Sequence, residues 1–183
     1  MKRACVIGHN IAHSRSPLIH NHWIKQYGLD AQYEIQDVST TQVSDIINQI
    51  RPRELQGCNV TIPHKQLVAS FVDVIDKPAQ LSQSINTLYM SAGKLHGTST
   101  DGSGYLAHLK QTWPDFKVAG STVIILGAGG AALSIAAALL DEGASRIHVV
   151  NRTLQKAEIL ADMNPAVMSA ATQDELPDLV PAA

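Results

Sequence analysis

Cysteine, charge and long apolar runs are all scarce in this chain of 183 residues, and each scarcity closes off a class of protein. Only Cys5 and Cys58 are present, both within apolar runs, so no disulfide framework is in view. A reducing compartment, the cytoplasm, is the expected home. Charged residues make up 16% and the net charge is −2, which gives no electrostatic reason to expect nucleic acid or an acidic membrane surface as partner. No apolar segment approaches the ~20 residues a membrane span needs. The opening MKRACVIG is basic, but its apolar run ends at Gly8, too short for a secretory signal. No repeat or low-complexity tract interrupts the sequence. What is plentiful is hydrophobic residues, at 45%, the composition of a globular protein.

Strand and helix signals alternate along the chain. RACVI (3–7) reads as a buried strand. A helix follows from Pro17, with Ser16 as its N-cap, and ends at Gly28. AQYEIQDV (31–38) reads as a strand, and 39–50 as an amphipathic helix burying Val43, Ile46, Ile47 and Ile50. GCNVT (57–61) is a strand, after which Pro63 is expected to open a helix toward Val74. SINTLYM (84–90) and KLHG (94–97) form a hairpin through Ser91-Ala92-Gly93, and a helix spans about 102–113.

The character changes after Gly120. STVIIL is a continuous apolar run, the pattern of a parallel strand buried on both faces. GAGGAALSIAAALLDEG enters an alanine-rich helix, and RIHVV is the next strand, so this region is a βαβ unit. The expected fold class is α/β: an N-terminal α/β domain over 1–113, a linker at 114–120, and a Rossmann-type nucleotide-binding domain from 121 to 183. A doubly wound nucleotide fold needs more strands than the residues after Gly120 supply, so the second domain is expected to be partial and the chain a fragment.

Gly127, Gly129 and Ala132 fit the G-x-G-x-x-G/A fingerprint, after a strand and at the mouth of a helix. In that setting the Gly127-Ala128-Gly129-Gly130-Ala131 turn lets a pyrophosphate approach backbone N–H groups where the helix dipole favours anions. A site for NAD usually carries an acid at the end of the next strand. Here that end reads Asn151-Arg152-Thr153, and an arginine can pair with a 2′-phosphate that a carboxylate would repel. The expected cofactor is NADP. The competing reading is a plain glycine turn with Arg152 as a solvated residue at a helix start.

NVTIPHK (59–65) sets one lysine beside an Asn-x-Thr at a strand end. INT (85–87) and TSTDG (98–102) are two further polar clusters that follow strands, where ligand sites of α/β folds gather. With SRS (14–16), GAGGA (127–131) and NRT (151–153), these segments occur in an order that resembles the shikimate dehydrogenase family from Val6 to about Thr153. The resemblance implies a two-domain enzyme that reversibly reduces 3-dehydroshikimate to shikimate with NADPH. It implies that Ser14 and Ser16 bind the substrate carboxylate, and that Thr61, Asn86 and Asp101 bind ring hydroxyls, with Asn59 shaping the pocket. It makes Lys65 the general acid–base and Asp101 its partner. The chemistry is coherent, because an ammonium beside a carbonyl that receives hydride stabilises the charge on oxygen and supplies the proton. The plainer alternative makes Lys65 a solvated helix residue and Asp101 a helix cap; for Asp101 both can hold.

Three features depart from the family's pattern. Ser99 stands where the family usually has asparagine, and Leu133 and Ser134 stand where an arginine often contacts phosphate. The family also continues for roughly another third of its length, completing the nicotinamide side.

The stretch HNIAHSRSPLIHNHW (9–23) holds four of the eight histidines. His20 and His22 are two apart on the expected helix and point to different faces, and no acid or cysteine lies nearby in sequence to complete a zinc set with His9 and His13. No metal site is expected, and the functional atoms there are the hydroxyls of Ser14 and Ser16, with a helix cap as the other use of Ser16. Quinate with NAD, and a truncated module that binds without turnover, stand as alternatives. The partner is a small-molecule substrate, and the sequence does not fix an oligomeric state.

Overall fold

A computed structural model describes residues 1–180. Short apolar runs at its start give β1 (Lys2–Gly8), which pairs in parallel with β2 (Ala31–Asp37), Lys2 opposite Ala31 and Gly8 opposite Asp37. The crossover between them is α1 (Ser16–Gln26), which stops where Gly28 takes φ 59°. After β2, Ser39 and Gln42 form a reciprocal capping box around a 3₁₀ turn that runs into α2 (Val43–Ile50). Val43, Ile46, Ile47 and Ile50 recur at helical spacing, and all four are buried.

β3 (Gly57–Val60) lies along the other side of β1, parallel to it, with Cys58 opposite Cys5. Two further elements follow, β4 (Val74–Ile75) and α3 (Lys77–Ser82), the latter capped by the Asp76 carboxylate accepting from the Ala79 N–H at 3.0 Å. β5 (Thr87–Ser91) and β6 (Lys94–Thr98) form a hairpin. Its two turn residues, Ala92 and Gly93, have φ of 47° and 76°, the left-handed pair that suits the twist of the strands. The sheet order is β2-β1-β3-β5-β6-β4. Its core gathers Ile7, Ile50, Leu55, Val68, Leu88 and Leu95, with both cysteines.

The helix expected from Pro63 toward Val74 does not form. Residues 62–66 make successive turns, and only a 3₁₀ segment, Leu67–Phe71, follows. Long-range contacts decide the shape. The His64 ring is fully buried with its Nε2 2.9 Å from the Val38 carbonyl, and the Lys65 carbonyl accepts from the Ile85 N–H at 2.9 Å. Ser16 is also not a cap: it is the first residue of α1, and no side chain caps that helix.

The chain clusters into two compact units, Met1–Ser99 and Thr100–Ala183. This division falls ahead of the 114–120 stretch where the composition changes, because α4 (Asp101–Thr112) packs on α5 (Gly130–Asp141). The contact is close: a Cβ on Gly102 would lie 2.4 Å from the Ser134 carbonyl oxygen. α5 connects β7 (Thr122–Leu126) to β8 (Arg146–Val150), and α6 (Leu154–Ala161) leads to β9 (Met168–Ala171). A 3₁₀ turn, Gln173–Glu175, and α7 (Leu176–Leu179) follow. All three strands are parallel, in the order β7-β8-β9. β7 is therefore an edge strand among the described residues, not one buried on both faces: Val123, Ile124 and Ile125 are half-buried and Leu126 is 70% exposed. The central strand β8 is the buried one, through Ile147, Val149 and Val150. No helix among the described residues is long and apolar enough to cross a membrane.

Candidate active site

In the first unit the polar residues of interest collect where β1 and β3 end. The loop after β1 is held by one carboxylate. Asp37, at the end of β2, accepts from the N–H groups of Asn10 and Ile11, each at 3.0 Å. The Asn10 N–H chiefly holds Asp37 below the ordinary carboxylate range; desolvation opposes it, and Ile11 and His9 add to the lowering. From Ile11 the chain turns back, the Ser14 N–H donating to the Ile11 carbonyl at 2.8 Å. The Ser14 hydroxyl then accepts from the Ser16 N–H and donates to the Ser16 hydroxyl, both at 3.3 Å. Two hydroxyls are thus paired on a braced loop, an arrangement suited to a carboxylate.

β3 alternates, with Cys58 and Val60 buried and Asn59 on the opposite face. Thr61 follows, its N–H donating to the Ile7 carbonyl at 2.9 Å. Gly8 allows this close approach, since a Cβ there would sit 2.6 Å from the Thr61 methyl. Asn86 is 9% exposed; its carbonyl accepts from the Val60 N–H at 2.7 Å and its N–H donates to Thr98 at 3.0 Å. The Ile85–Lys65 backbone bond sets the lysine one residue from Asn86 in the ladder. Asn59, Thr61 and Lys65 thus share one sheet end with Asn86, which is distant from them in sequence, beside the loop that carries Ser14 and Ser16. The His64 Nε2 carries its ring proton, because its neighbour is a carbonyl that can only accept. Thr98 is tied to the Asp76 carboxylate through its hydroxyl, which steadies the strand end leading to Ser99.

Sequence reasoning missed Asp37, Tyr33 and Thr87. The Tyr33 hydroxyl donates to the Asn59 Oδ1 at 2.6 Å, and Thr87 lies between the two asparagines. Thr87 was open to detection from its place in INT; a tyrosine in a strand carries no such signal. His9 does have an acid beside it, Asp37 at 3.4 Å, which the chain brings there from β2. No three potential metal ligands gather among the described residues.

In the second unit Asp101 is the first residue of α4, where its charge suits the helix dipole; the cap position is Thr100, without a side-chain cap. Gly127 has φ 108°, a conformation that needs glycine, and α5 begins at Gly130 after Gly129. Nothing lies within 4 Å of where a Cβ on Gly127, Gly129 or Gly130 would be, which leaves room at the helix mouth, with Ala128 and Ala131 in the same turn. A cavity of about 450 Å³ opens beside it, lined by Leu126, Gly127, Val150, Asn151, Arg152, Gln173 and Leu176. The Asn151 side chain donates to the Thr153 carbonyl at 2.8 Å, bracing the turn that presents the exposed Arg152. Gln173 and Leu176 were not legible as lining residues, since nothing in QDEL announces that it folds back beside a glycine turn.

Parallel strands with a glycine turn at a helix mouth place the second unit in the dinucleotide-binding class of folds. Comparison with known proteins makes the assignment specific. Residues 6–88 match the family profile described as shikimate dehydrogenase substrate binding domain, and residues 108–183 match the shikimate / quinate 5-dehydrogenase profile. A shikimate dehydrogenase (NADP(+)) of Methylobacterium radiotolerans is 40% identical over 98% of this chain and 64% of its own length. Among solved structures, the shikimate 5-dehydrogenase of Thermus thermophilus in complex with NADP(H) and shikimate has a TM-score of 0.81 at 33% identity, over 92% of this chain and 63% of that one. A 5-ketofructose reductase of Gluconobacter sp. strain CHM43 has a TM-score of 0.83 at 34% identity, over 94% and 62%. The chain belongs to the shikimate dehydrogenase family. It spans just under two thirds of the length of the curated relatives it matches.

Proposed function

We propose that this chain supplies the substrate-binding unit and part of the cofactor-binding unit of an NADP-dependent shikimate dehydrogenase. The observation that carries this is the NVTIPHK turn, pinned through the Lys65 carbonyl to Ile85 so that the lysine shares a sheet end with Asn59, Thr61 and Asn86. In this reading Ser14 and Ser16 donate to the substrate carboxylate, and Thr61 and Asn86 bond ring hydroxyls. Lys65 Nζ gives its proton to the carbonyl oxygen during reduction and takes it back during oxidation. Asp101 is assigned to the same chemistry by the family resemblance.

The second unit fits a 2′-phosphorylated dinucleotide. Its open glycine turn admits a pyrophosphate to the backbone N–H groups of Gly129, Gly130 and Ala131, and Arg152 at the cavity wall can pair with the 2′-phosphate. NADP, when bound, supplies or accepts the hydride. The chain's own part is to bind and orient it.

Shikimate-dependent NADP reduction, followed by NADPH absorbance, tests the reading in wild type and Lys65→Ala. Loss of about 10²–10⁴ in rate is expected for removal of a positioned acid–base. Equal, measurable turnover in both would remove Lys65 from the mechanism, while no turnover in either would point to an incomplete site and make shikimate binding the deciding measurement. The structural kinship with a 5-ketofructose reductase favours one further reading, a different hydroxylated ketone as substrate. A panel of shikimate, quinate and 5-ketofructose separates the two, and an NAD arm tests the quinate alternative, which Arg152 opposes.

A further inference from the structure

We infer that Tyr33 is a positioning residue for Asn86, acting through a one-way chain of hydrogen bonds; the inference rests on Asn86 being a substrate ligand. The direction of the chain follows from the chemistry of its members. Tyr33 meets Asn59 at Oδ1, 2.6 Å away, and an amide oxygen only accepts, so the phenol donates. With Oδ1 so committed, the Asn59 amide nitrogen is turned the other way, and it donates to the Thr87 hydroxyl at 3.1 Å. Having accepted there, Thr87 donates its own proton to the Asn86 Oδ1 at 2.9 Å. The Asn59 amide also reaches the Asn86 carbonyl at 3.5 Å, a second tie between the two asparagines. The outcome is that Asn86 faces away from Thr87 with its NH₂ edge, a donor edge, and a substrate hydroxyl meets it as an acceptor.

Tyr33 is built for this task. It is 5% exposed and lies in a small cluster with Val6 and Ile11. The His20 imidazole stacks on its ring, centroids 4.1 Å apart and planes 14° from parallel. Burial, with Cys5 and Cys58 nearby, pushes the phenol far above its ordinary value, so it keeps its proton over the whole working range. The backbone adds a second fix, because Asn59 and Thr87 are paired residues in the β3–β5 ladder. The function of the relay is specificity. An asparagine can present either its oxygen or its nitrogen at nearly the same place, and the two recognise opposite partners. The Tyr33 hydroxyl could also accept, but Asn59 is the one hydrogen-bond partner it has among the described residues, so only donation satisfies its buried proton, and that removes the ambiguity two residues down the chain.

Tyr33→Phe removes only the hydroxyl and keeps the stacked ring. Shikimate affinity of this chain, measured by calorimetry, is expected to fall about three- to tenfold, the loss of one buried hydrogen bond. In an Asn86→Ala background the same change should cost nothing further. Thr87→Val should reproduce the loss and Thr87→Ser should restore affinity, which gives a second route if Tyr33→Phe folds poorly. The Asn86 side-chain NH₂ resonances, read by ¹⁵N NMR without ligand, should shift and exchange with solvent faster in Tyr33→Phe. Unchanged Asn86 resonances, or an affinity loss that persists in full in Asn86→Ala, would overturn the relay. Wild type that fails to bind shikimate would overturn the substrate reading, while the resonances still decide the relay.

Discussion

Arg152 is exposed and, through its guanidinium, can serve the cavity wall without supporting the fold. Arg152→Ala should therefore leave the melting temperature unchanged and weaken NADP relative to NAD about ten- to hundredfold, the scale of a charge-assisted bond. An unchanged ratio of the two dissociation constants would place the 2′-phosphate elsewhere. Asp37 behaves differently, since it braces a loop and touches no proposed ligand. Asn in its place keeps one acceptor oxygen for two N–H donors, so Asp37→Asn should loosen the loop that carries Ser14 and Ser16 and weaken shikimate binding, as calorimetry would show. At this scale the sequence discloses residues whose type is costly to explain otherwise, such as Lys65 after a proline turn or Gly127 before a helix. It hides residues whose type suits a core equally well. Tyr33 in a strand reads as packing, and only the 2.6 Å contact to Asn59 gives it another use.

Among the elements, α4 and α5 depend on one missing side chain. A methyl at position 102 would stand 2.4 Å from the Ser134 carbonyl oxygen, which backbone shift alone can relieve. Gly102→Ala is expected to destabilise the second unit by about 1–3 kcal/mol, the usual cost of overpacking, as read by thermal or urea unfolding. A neutral result would mean that the helices separate freely. Elements with local signals were legible in advance: α2 from its apolar spacing, the β5–β6 hairpin from Ala92-Gly93, α5 from its glycine turn. The Pro63 segment was not, because the buried His64 and the Lys65 carbonyl are held by partners twenty or so residues away and overrule the local preference for a helix. β7 misled for the opposite reason. Its apolar run matches a central strand, but its neighbours, and not its composition, decide where it lies.

Among the described residues the two units share no strand: the first holds a six-stranded sheet and the second a three-stranded one. A chain cut after Ser99 should therefore keep the first unit folded, with a cooperative melt of its own; a molten 1–99 fragment would contradict the division. Acid should act on this unit through Asp73. The Arg51 guanidinium, with the Leu95 N–H, lowers its carboxyl to about 2, so its contribution is present above the ordinary value of 3.8 and is lost as pH falls toward 2. Asp73→Asn should lower stability at neutral pH and flatten the acid limb of the melting curve. The two cysteines give this unit a further property. Cys5 and Cys58 face each other across β1 and β3, sealed from solvent, and the second unit has no thiol. A membrane-permeable alkylating dye would stay silent on the intact protein and label only when those strands part. The chain thus carries its own chemical clock for the opening of one half, readable on the purified protein without adding any label site.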